Sequence, residues 1–365
     1  MNKHLINDYA LLGKNVPATD KLTIKLRKIM KNPTYQYVLF GIIMCIVGYL
    51  ATEIKVLPYS WQSAFATTFS YAIASIGFCL LMGYSGLASL GTGGFIGIGT
   101  YAVHYIMVEA KLPFIVAVLV AIGVAIIIGL IVGFISLRIE GIYLVILTLA
   151  LSEILRNLYA AVKPKLTLAA KNALIFGEKF STKHSLMLVS FFLVVIMIIT
   201  SNLINSPTGR AMLAMKNSTA AAQAMGISLI KYRLLAFVIC TAYAALTGVL
   251  LMMVVRSADA TDATGYYALI TSLNILAAVI IGGFKSIWGA VFGTFVMYGI
   301  KLVIFNQIPF LAKNPLIITL FAGVLVIVIV MFYPGGLAQL LVEAKMKVRK
   351  IRKKVRESKY GKDLG

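Results

Sequence analysis

Charged residues are scarce in this sequence, and acidic residues are the scarcest. Of 365 residues, 13% are charged and only 12 are Asp or Glu, whereas 60% are hydrophobic. A soluble domain has about a quarter of its residues charged and about half of them apolar. The composition therefore excludes an ordinary soluble domain and predicts a polytopic membrane protein.

Residues that bind metals or act as nucleophiles are also few. The chain has three histidines and three cysteines, and Cys45, Cys79 and Cys240 lie inside apolar runs without the spacing of a zinc site. The sequence contains neither the P-loop pattern G-x-x-x-x-G-K-[ST] nor a nucleophile elbow. We therefore expect no catalytic residue, metal site or cofactor on this chain, so any ATP hydrolysis must take place on another polypeptide.

Positive charge is concentrated at the two ends. The net charge is +22, with seven Lys or Arg before residue 36 and ten after residue 344. Basic blocks beside spans are typical of cytoplasmic anchors on an anionic leaflet, whereas nucleic-acid binding is the competing interpretation of a basic tail. We favour the first interpretation. It predicts a basic cytoplasmic segment at 1–36, a transmembrane domain at 37–333 and a basic cytoplasmic tail at 334–365.

Ten apolar runs approach the length of about 20 residues that a transmembrane helix needs. They cover 37–53, 63–82, 88–107, 113–137, 141–160, 184–204, 232–255, 266–284, 286–305 and 315–333. An even number of spans puts both termini on one side, in agreement with the two basic ends. One feature disagrees, because the 161–183 loop carries five lysines and falls outside, against the positive-inside bias.

A polar segment of about 27 residues separates the sixth run from the seventh. Ser206-Pro207 has the form of an N-cap followed by proline at the first helical position, and the helix continues to about Lys216. Asn217-Ser218 offers a second N-cap, for a helix over 219–225. Gly226 stands where a left-handed C-cap is expected. We predict two short helices outside the lipid, which form either a solvated connector or a docking segment.

Glycine is concentrated in the third run, GYSGLASLGTGGFIGIGTYAVHY (83–105). Each glycine weakens an isolated helix by about 1 kcal/mol relative to alanine. In a membrane such density indicates either close backbone packing or a discontinuous helix that lines a cavity. Both interpretations make the same residues candidates for helix packing or for a translocation pathway, namely Ser85, Gly86, Ser89, Gly91, Thr92, Gly93 and Gly94.

Three ionisable residues fall inside predicted spans. Glu153 and Arg156 are three apart and share a helix face, and Lys301 lies alone in the ninth run. Such groups are expensive in lipid and are functional candidates by default. The pair is placed towards the outer end of its span, where a mutual ion pair or a snorkelling pair is the alternative. Lys301 could likewise snorkel or meet a carboxylate of another helix.

The segment GRAMLAMKNSTAAAQAMGISLIKYRLLAF resembles the cytoplasmic coupling loop of branched-chain amino-acid permeases of the LivM type, which are subunits of ABC importers. The family pattern begins G-R, continues through A-A and ends G-I. Asn217 stands where the family usually has an acidic residue. In that family the loop docks into a separate ATPase subunit. The resemblance therefore implies a set of residues that couple to the ATPase, namely Gly209, Arg210, Lys216, Ala221, Ala222, Met225 and Gly226.

Other blocks extend the resemblance over about residues 60–340. GYSGLASLGTGGFIGIGTY is similar to a family block, with Thr92 in place of the usual His and Gly93-Gly94 in place of Ala-Ala. LRIEGIYLVILTLALSEILRN (137–157), SLNILAAVIIGGFKSIWGAVFG (272–293) and FYPGGL (332–337) resemble further blocks. The glycines of a block that the family has near residue 166 are missing, which weakens any assignment of the substrate.

The resemblance implies an all-α polytopic membrane protein of the ABC importer permease type, with about ten transmembrane helices and both termini cytoplasmic. It implies a subunit of a bacterial plasma-membrane importer that moves a branched-chain or other apolar amino acid by alternating access. The expected partners are ABC ATPase subunits that bind ATP, a second permease subunit in a heterodimer, an extracytoplasmic solute-binding protein and membrane lipid, but not nucleic acid. Two alternatives stay open: an ABC permease for nucleosides or sugars, and a stand-alone secondary transporter or channel.

Overall fold

The computed structural model describes most of the predicted membrane domain. The described residues are 33–53, 58–136, 142–169, 174–175, 178–180, 184–262 and 265–304, with isolated positions between 320 and 346. The tenth predicted span and both basic terminal segments lie largely outside these ranges.

The described residues include eleven α-helices with defined bounds. These are α1 Pro33–Glu53, α2 Tyr59–Leu80, α3 Thr92–Val103, α4 Phe114–Ser136, α5 Ile142–Val162, α6 Ser185–Asn205, α7 Pro207–Asn217, α8 Thr219–Ala224, α9 Leu229–Val255, α10 Leu269–Gly282 and α11 Ile287–Thr294. Three helices continue into wider π-helical turns: α2 through Leu81–Ser85, α3 through His104–Glu109 and α11 through Phe295–Ile304. Four short strands are β1 Lys165–Thr167, β2 Leu174–Ile175, β3 Glu178–Lys179 and β4 Ser257–Asp259.

The helices confirm an all-α protein with several spans. Five are long and apolar enough to cross a membrane: α2 with its extension, α4, α5, α6 and α9. Shorter apolar helices cover Thr34–Leu50, Leu269–Gly282 and Ile287–Val303. Nine of the ten predicted runs coincide with helices to within a few residues. The total of ten spans and the cytoplasmic termini stay predictions.

The core forms around α2 and α9, and α4 and α5 lie at its edge with many exposed apolar side chains. Glycine brings α3 against α9. A Cβ added at Gly99 would lie 1.9 Å from the carbonyl oxygen of Ala245, and one added at Gly248 would lie 1.9 Å from that of Ile96. Such small-residue contacts let helix backbones approach closely in a membrane. They hold α3 in the centre of the bundle.

Two strands that we did not predict connect the chain after α5 to the chain after α9. In the antiparallel β1–β4 pair, Lys165 lies opposite Asp259, and the Lys165 Nζ is 3.6 Å from the Asp259 Oδ2. Lys163 also meets a carboxylate, with its Nζ 3.1 Å from the Glu109 Oε1. Two lysines of the 161–183 loop therefore have acidic partners, although the positive-inside bias, which counts only Lys and Arg, is unchanged.

Candidate functional site

The chain is not helical between α2 and α3. The π-helical extension of α2 ends at Ser85, Gly86 takes a left-handed conformation with φ of 75°, and α3 starts only at Thr92. We call Gly86–Gly91 the helix break. The predicted run 88–107 thus begins in the break and is helical from Thr92 onward. Its glycines lie both in the break and in the closely packed part of α3, so both interpretations of the glycine density apply.

Hydroxyl groups from neighbouring helices accept hydrogen bonds from the first N–H groups of α3. The N–H of Gly93 donates to the Ser272 Oγ at 2.8 Å, and that of Gly94 donates to the Ser152 Oγ at 2.9 Å. The first N–H groups of any helix lack partners within the helix, and the lipid core has no water to supply them. Ser152 on α5 and Ser272 on α10 therefore make it possible for a helix to begin inside the bundle.

The glycines allow these hydroxyls to approach. A Cβ added at Gly93 would lie 2.9 Å from the carbonyl oxygen of Ala268, and one added at Gly94 would lie 3.0 Å from the Cα of Ser152. A side chain at either position would push α5 or α10 away from the start of α3. Ser85, Ser89 and Thr92, also predicted for this site, are buried around the break.

The end of the helix break that leads into α3 lies at the middle of the bundle. Ser152 is the eleventh of the 21 residues of α5, so the contact with Gly94 places the start of α3 about halfway along that helix. The start of α10 lies beside it, because Ala268 immediately precedes that helix. Two helix N-termini thus meet at one depth, and each carries the positive end of a helix dipole.

Three buried tyrosines, Tyr101, Tyr159 and Tyr267, fill the space between the break and β1–β4. We call them the tyrosine cluster. The Tyr159 hydroxyl donates to the carbonyl oxygen of Gly94 at 2.9 Å, and the rings of Tyr101 and Tyr159 stack with centroids 4.6 Å apart. Beyond the cluster, a depression of about 360 Å³ is lined by residues of β1 and β4 and by Tyr266. The members of this cluster come from three distant segments, so no local pattern in the sequence indicates it.

The α7–α8 segment has the caps that we predicted. The Ser206 Oγ accepts the N–H of Gly209 at 3.4 Å, and the Ser218 Oγ accepts that of Ala221 at 3.3 Å. Gly226 follows α8 with φ of 78°, in the left-handed region. These local signals produce two ordered helices between α6 and α9.

The predicted coupling residues do not all face the same way. Met225 is 81% exposed, whereas Ala222 is 2% exposed. Gly209 is buried against the end of α6, because an added Cβ would lie 2.3 Å from the carbonyl oxygen of Ile204. The members with exposed side chains or backbone are Arg210, Ala221, Met225 and Gly226.

Lys216 points back into the bundle. Its Nζ donates to the carbonyl oxygen of Met82 at 3.0 Å and to that of Gly83 at 2.9 Å. Burial lowers the pKa of Lys216, and the nearby charge of Lys285 lowers it further. The side chain joins α7 to the π-helical end of α2, three residues before the helix break.

Glu153 and Arg156 form a mutual ion pair, with the Arg156 Nε 2.9 Å from the Glu153 Oε2. Their side chains are 33% and 23% exposed. Glu153 is the twelfth and Arg156 the fifteenth of the 21 residues of α5, so the pair lies between the middle of the helix and its C-terminal end. The Lys301 side chain is exposed on the π-helical extension of α11.

Comparison with known proteins identifies the family. Residues 61–331 match the profile described as "Branched-chain amino acid transport system / permease component". This chain belongs to that family. The matched range includes the helix break, α7–α8 and the Glu153–Arg156 pair. The family and the apolar helices together indicate a multi-pass membrane protein.

Two curated relatives carry the name "High-affinity branched-chain amino acid transport system permease protein LivM", one from Salmonella typhimurium and one from Escherichia coli. Each is 29% identical to this chain over an alignment of 248 residues, and the match covers 60% of this chain. The chain spans 57% of the length of these relatives. No solved structure matches this chain.

We expect Ser272→Ala to lower the thermal unfolding temperature of the detergent-solubilised protein by several degrees. The change leaves the Gly93 N–H without its acceptor, and an unpaired buried donor costs about 1–3 kcal/mol. Ser190→Ala on α6 is the matched control, because that buried hydroxyl has no hydrogen-bond partner within the described residues. Equal unfolding temperatures for the two variants would show that the hydroxyl cap contributes nothing.

Proposed function

We propose that this chain is the membrane-spanning subunit of an ABC importer in the bacterial plasma membrane, driven by separate ATPase subunits. The observation that carries the proposal is the α7–α8 segment. Its two helices are capped, attached to the core through buried Met212 and Met215, and present Met225 with 81% of its surface exposed. A simple connector between spans has no need of a second ordered helix with an exposed apolar residue. An ATPase surface that covers Met225 explains both features.

The translocation pathway in this proposal passes the helix break. The break extends to mid-depth at the start of α3, where irregular backbone in a membrane protein is tolerated only when protein buries it or when it lines a cavity. The tyrosine cluster closes the route from the break to the β1–β4 end, which is extracytoplasmic in the ten-span topology. ATP-driven movement of α7–α8 would then open and close the two ends in turn, as alternating access requires.

A second permease subunit is the partner that we propose for the exposed face of α5. The Glu153–Arg156 pair lies within that helix, and Glu153 is near its middle. A charged pair at this depth is expensive against lipid. A neighbouring subunit, or a water-filled pathway at the interface between two subunits, removes the cost of exposing the charged pair to lipid.

For the cargo we propose a branched-chain or other apolar amino acid. The two curated relatives are named for branched-chain amino acids. The N-termini of α3 and α10 meet at the break, and the positive ends of their dipoles favour an anionic group such as a carboxylate. A neutral nucleoside or sugar has no carboxylate to use this feature.

The test is purification of the tagged chain from its native membrane in a mild detergent. We expect an ABC ATPase and a second permease chain to copurify. Proteoliposomes of this complex, supplied with the solute-binding protein and ATP, should take up radiolabelled leucine. Uptake should stop when the ATPase is inactivated, and it should not respond to an ionophore.

Leucine uptake driven by an ion gradient, from a preparation without an ATPase, would overturn the importer proposal in favour of a secondary transporter. ATP-dependent uptake of a nucleoside or sugar, with no uptake of leucine, isoleucine or valine, would keep the importer and replace the cargo.

A further inference from the structure

We propose that Lys216 is a positioning residue that transmits the movement of α7 to the helix break. The inference rests on the proposed function, and it assigns Lys216 to the inside of the permease rather than to the surface that contacts the ATPase. On this assignment, α8 makes the external contact and the Lys216 ammonium carries the displacement into the pathway.

The first support is the contact itself. The carbonyl oxygens of Met82 and Gly83, which accept from the Lys216 Nζ, belong to the last turn of the π-helical extension of α2. Carbonyl groups at the end of a helix lack partners within it, and the negative end of the dipole favours a cation there. The ammonium therefore links α7 to the one part of α2 that is free to accept further hydrogen bonds.

The second support is the distance to the break. Gly86, its first residue, lies against the same side chain, because a Cβ added there would be 3.4 Å from the Lys216 Cγ. Gly86 also takes the left-handed conformation in which the chain leaves the helix. A shift of Lys216 therefore acts directly on the residue where the direction of the chain changes.

The third support is a second set of contacts made by the same turn of α2. A Cβ added at Gly83 would lie 1.8 Å from the carbonyl oxygen of Phe284, and the Tyr84 hydroxyl donates to the carbonyl oxygen of Lys285 at 3.2 Å. Phe284 and Lys285 form the turn that follows α10. Because α10 begins beside Gly93 at mid-depth, both helices that meet at the break connect to the turn that Lys216 binds.

The experiment places a reporter in the break and needs no knowledge of the cargo. Ala88 is half-buried there, so Ala88→Cys should react with a water-soluble maleimide above the background of the three native cysteines. The labelling rate is measured in the purified complex with its ATPase, before and after trapping with ATP and vanadate. We expect trapping to change the rate in the parent reporter protein.

When Lys216→Met is introduced into the Ala88→Cys reporter protein, the ATPase should stay bound and able to hydrolyse ATP, because α8 is unchanged. The trapping-dependent change in labelling should fall about five-fold or more, which is the lower end of usual coupling between sites. Lys216→Arg, which keeps a cation and its donors, should restore part of the response. Lys231→Met is the matched control, since it removes a cation from an exposed side chain near the start of α9 and should leave the response unchanged.

The inference would be overturned if a folded Lys216→Met protein showed the same trapping-dependent change in labelling rate as the parent reporter. It would also be overturned if trapping did not change the labelling rate of the parent reporter. If Lys216→Met accumulates poorly, Lys216→Gln, which is shorter and uncharged, is judged by the same criterion. Failure of the proposed function is seen separately and earlier, because in that case no ATPase copurifies with the parent chain.

Discussion

Gly99→Leu should abolish the folded permease, whereas Gly123→Leu should leave it intact. A Cβ at Gly99 would lie 1.9 Å from the carbonyl oxygen of Ala245 and 2.7 Å from the backbone nitrogen of Val249. Overpacking that only displaces side chains costs about 1–3 kcal/mol. Here the obstacle is the backbone of the central helix α9, which cannot move without disturbing its other contacts, so the cost should reach or exceed that range.

The measurement is the yield of monodisperse protein after detergent extraction and size-exclusion chromatography. Gly123 is the control because it lies in α4, and a Cβ there would meet nothing within 4 Å. Similar yields for the two leucine variants would contradict the close approach of α3 and α9. Gly94→Leu should fall between them, because its Cβ would lie 3.0 Å from atoms of α5.

Met225→Glu should eliminate ATP-driven uptake while the permease still folds and inserts. Met225 is 81% exposed at the end of α8, so the carboxylate stays in water when the chain is alone and the fold is not strained. If an ATPase surface covers this residue, the new charge must be desolvated in the complex, and an unpaired buried charge is strongly unfavourable. Copurification of the ATPase and ATP-dependent leucine uptake are the two measurements.

Met225→Leu is the control, because it keeps an apolar side chain of similar size and should preserve both activities. A Met225→Glu complex that retains its ATPase and transports at the parental rate would show that α8 is not the docking surface. Ala222→Glu is a different kind of change. Since Ala222 is 2% exposed, we expect it to unfold the α7–α8 segment, so it cannot report on docking alone.

The sequence determined the features that depend on neighbouring residues. Ser206 and Ser218 cap their helices, and Gly226 takes a left-handed conformation, because these preferences operate within one turn of chain. Helix positions followed from apolar runs, since a span needs only length and composition. The glycine density in 83–105 indicated the unusual third helix, although the residues alone could not distinguish a tightly packed helix from a broken one.

Only the tertiary structure decided which atoms meet across distant segments. The hydroxyls of Ser152 and Ser272 complete the start of α3 from two other helices, and Lys216 binds backbone oxygens more than 130 positions earlier in the chain. The same applies to Ala222, which the family resemblance placed on the docking surface and the packing buries. Composition and local spacing show what a segment can form. Close approach between helices determines which of its groups lose water and must find partners within the protein.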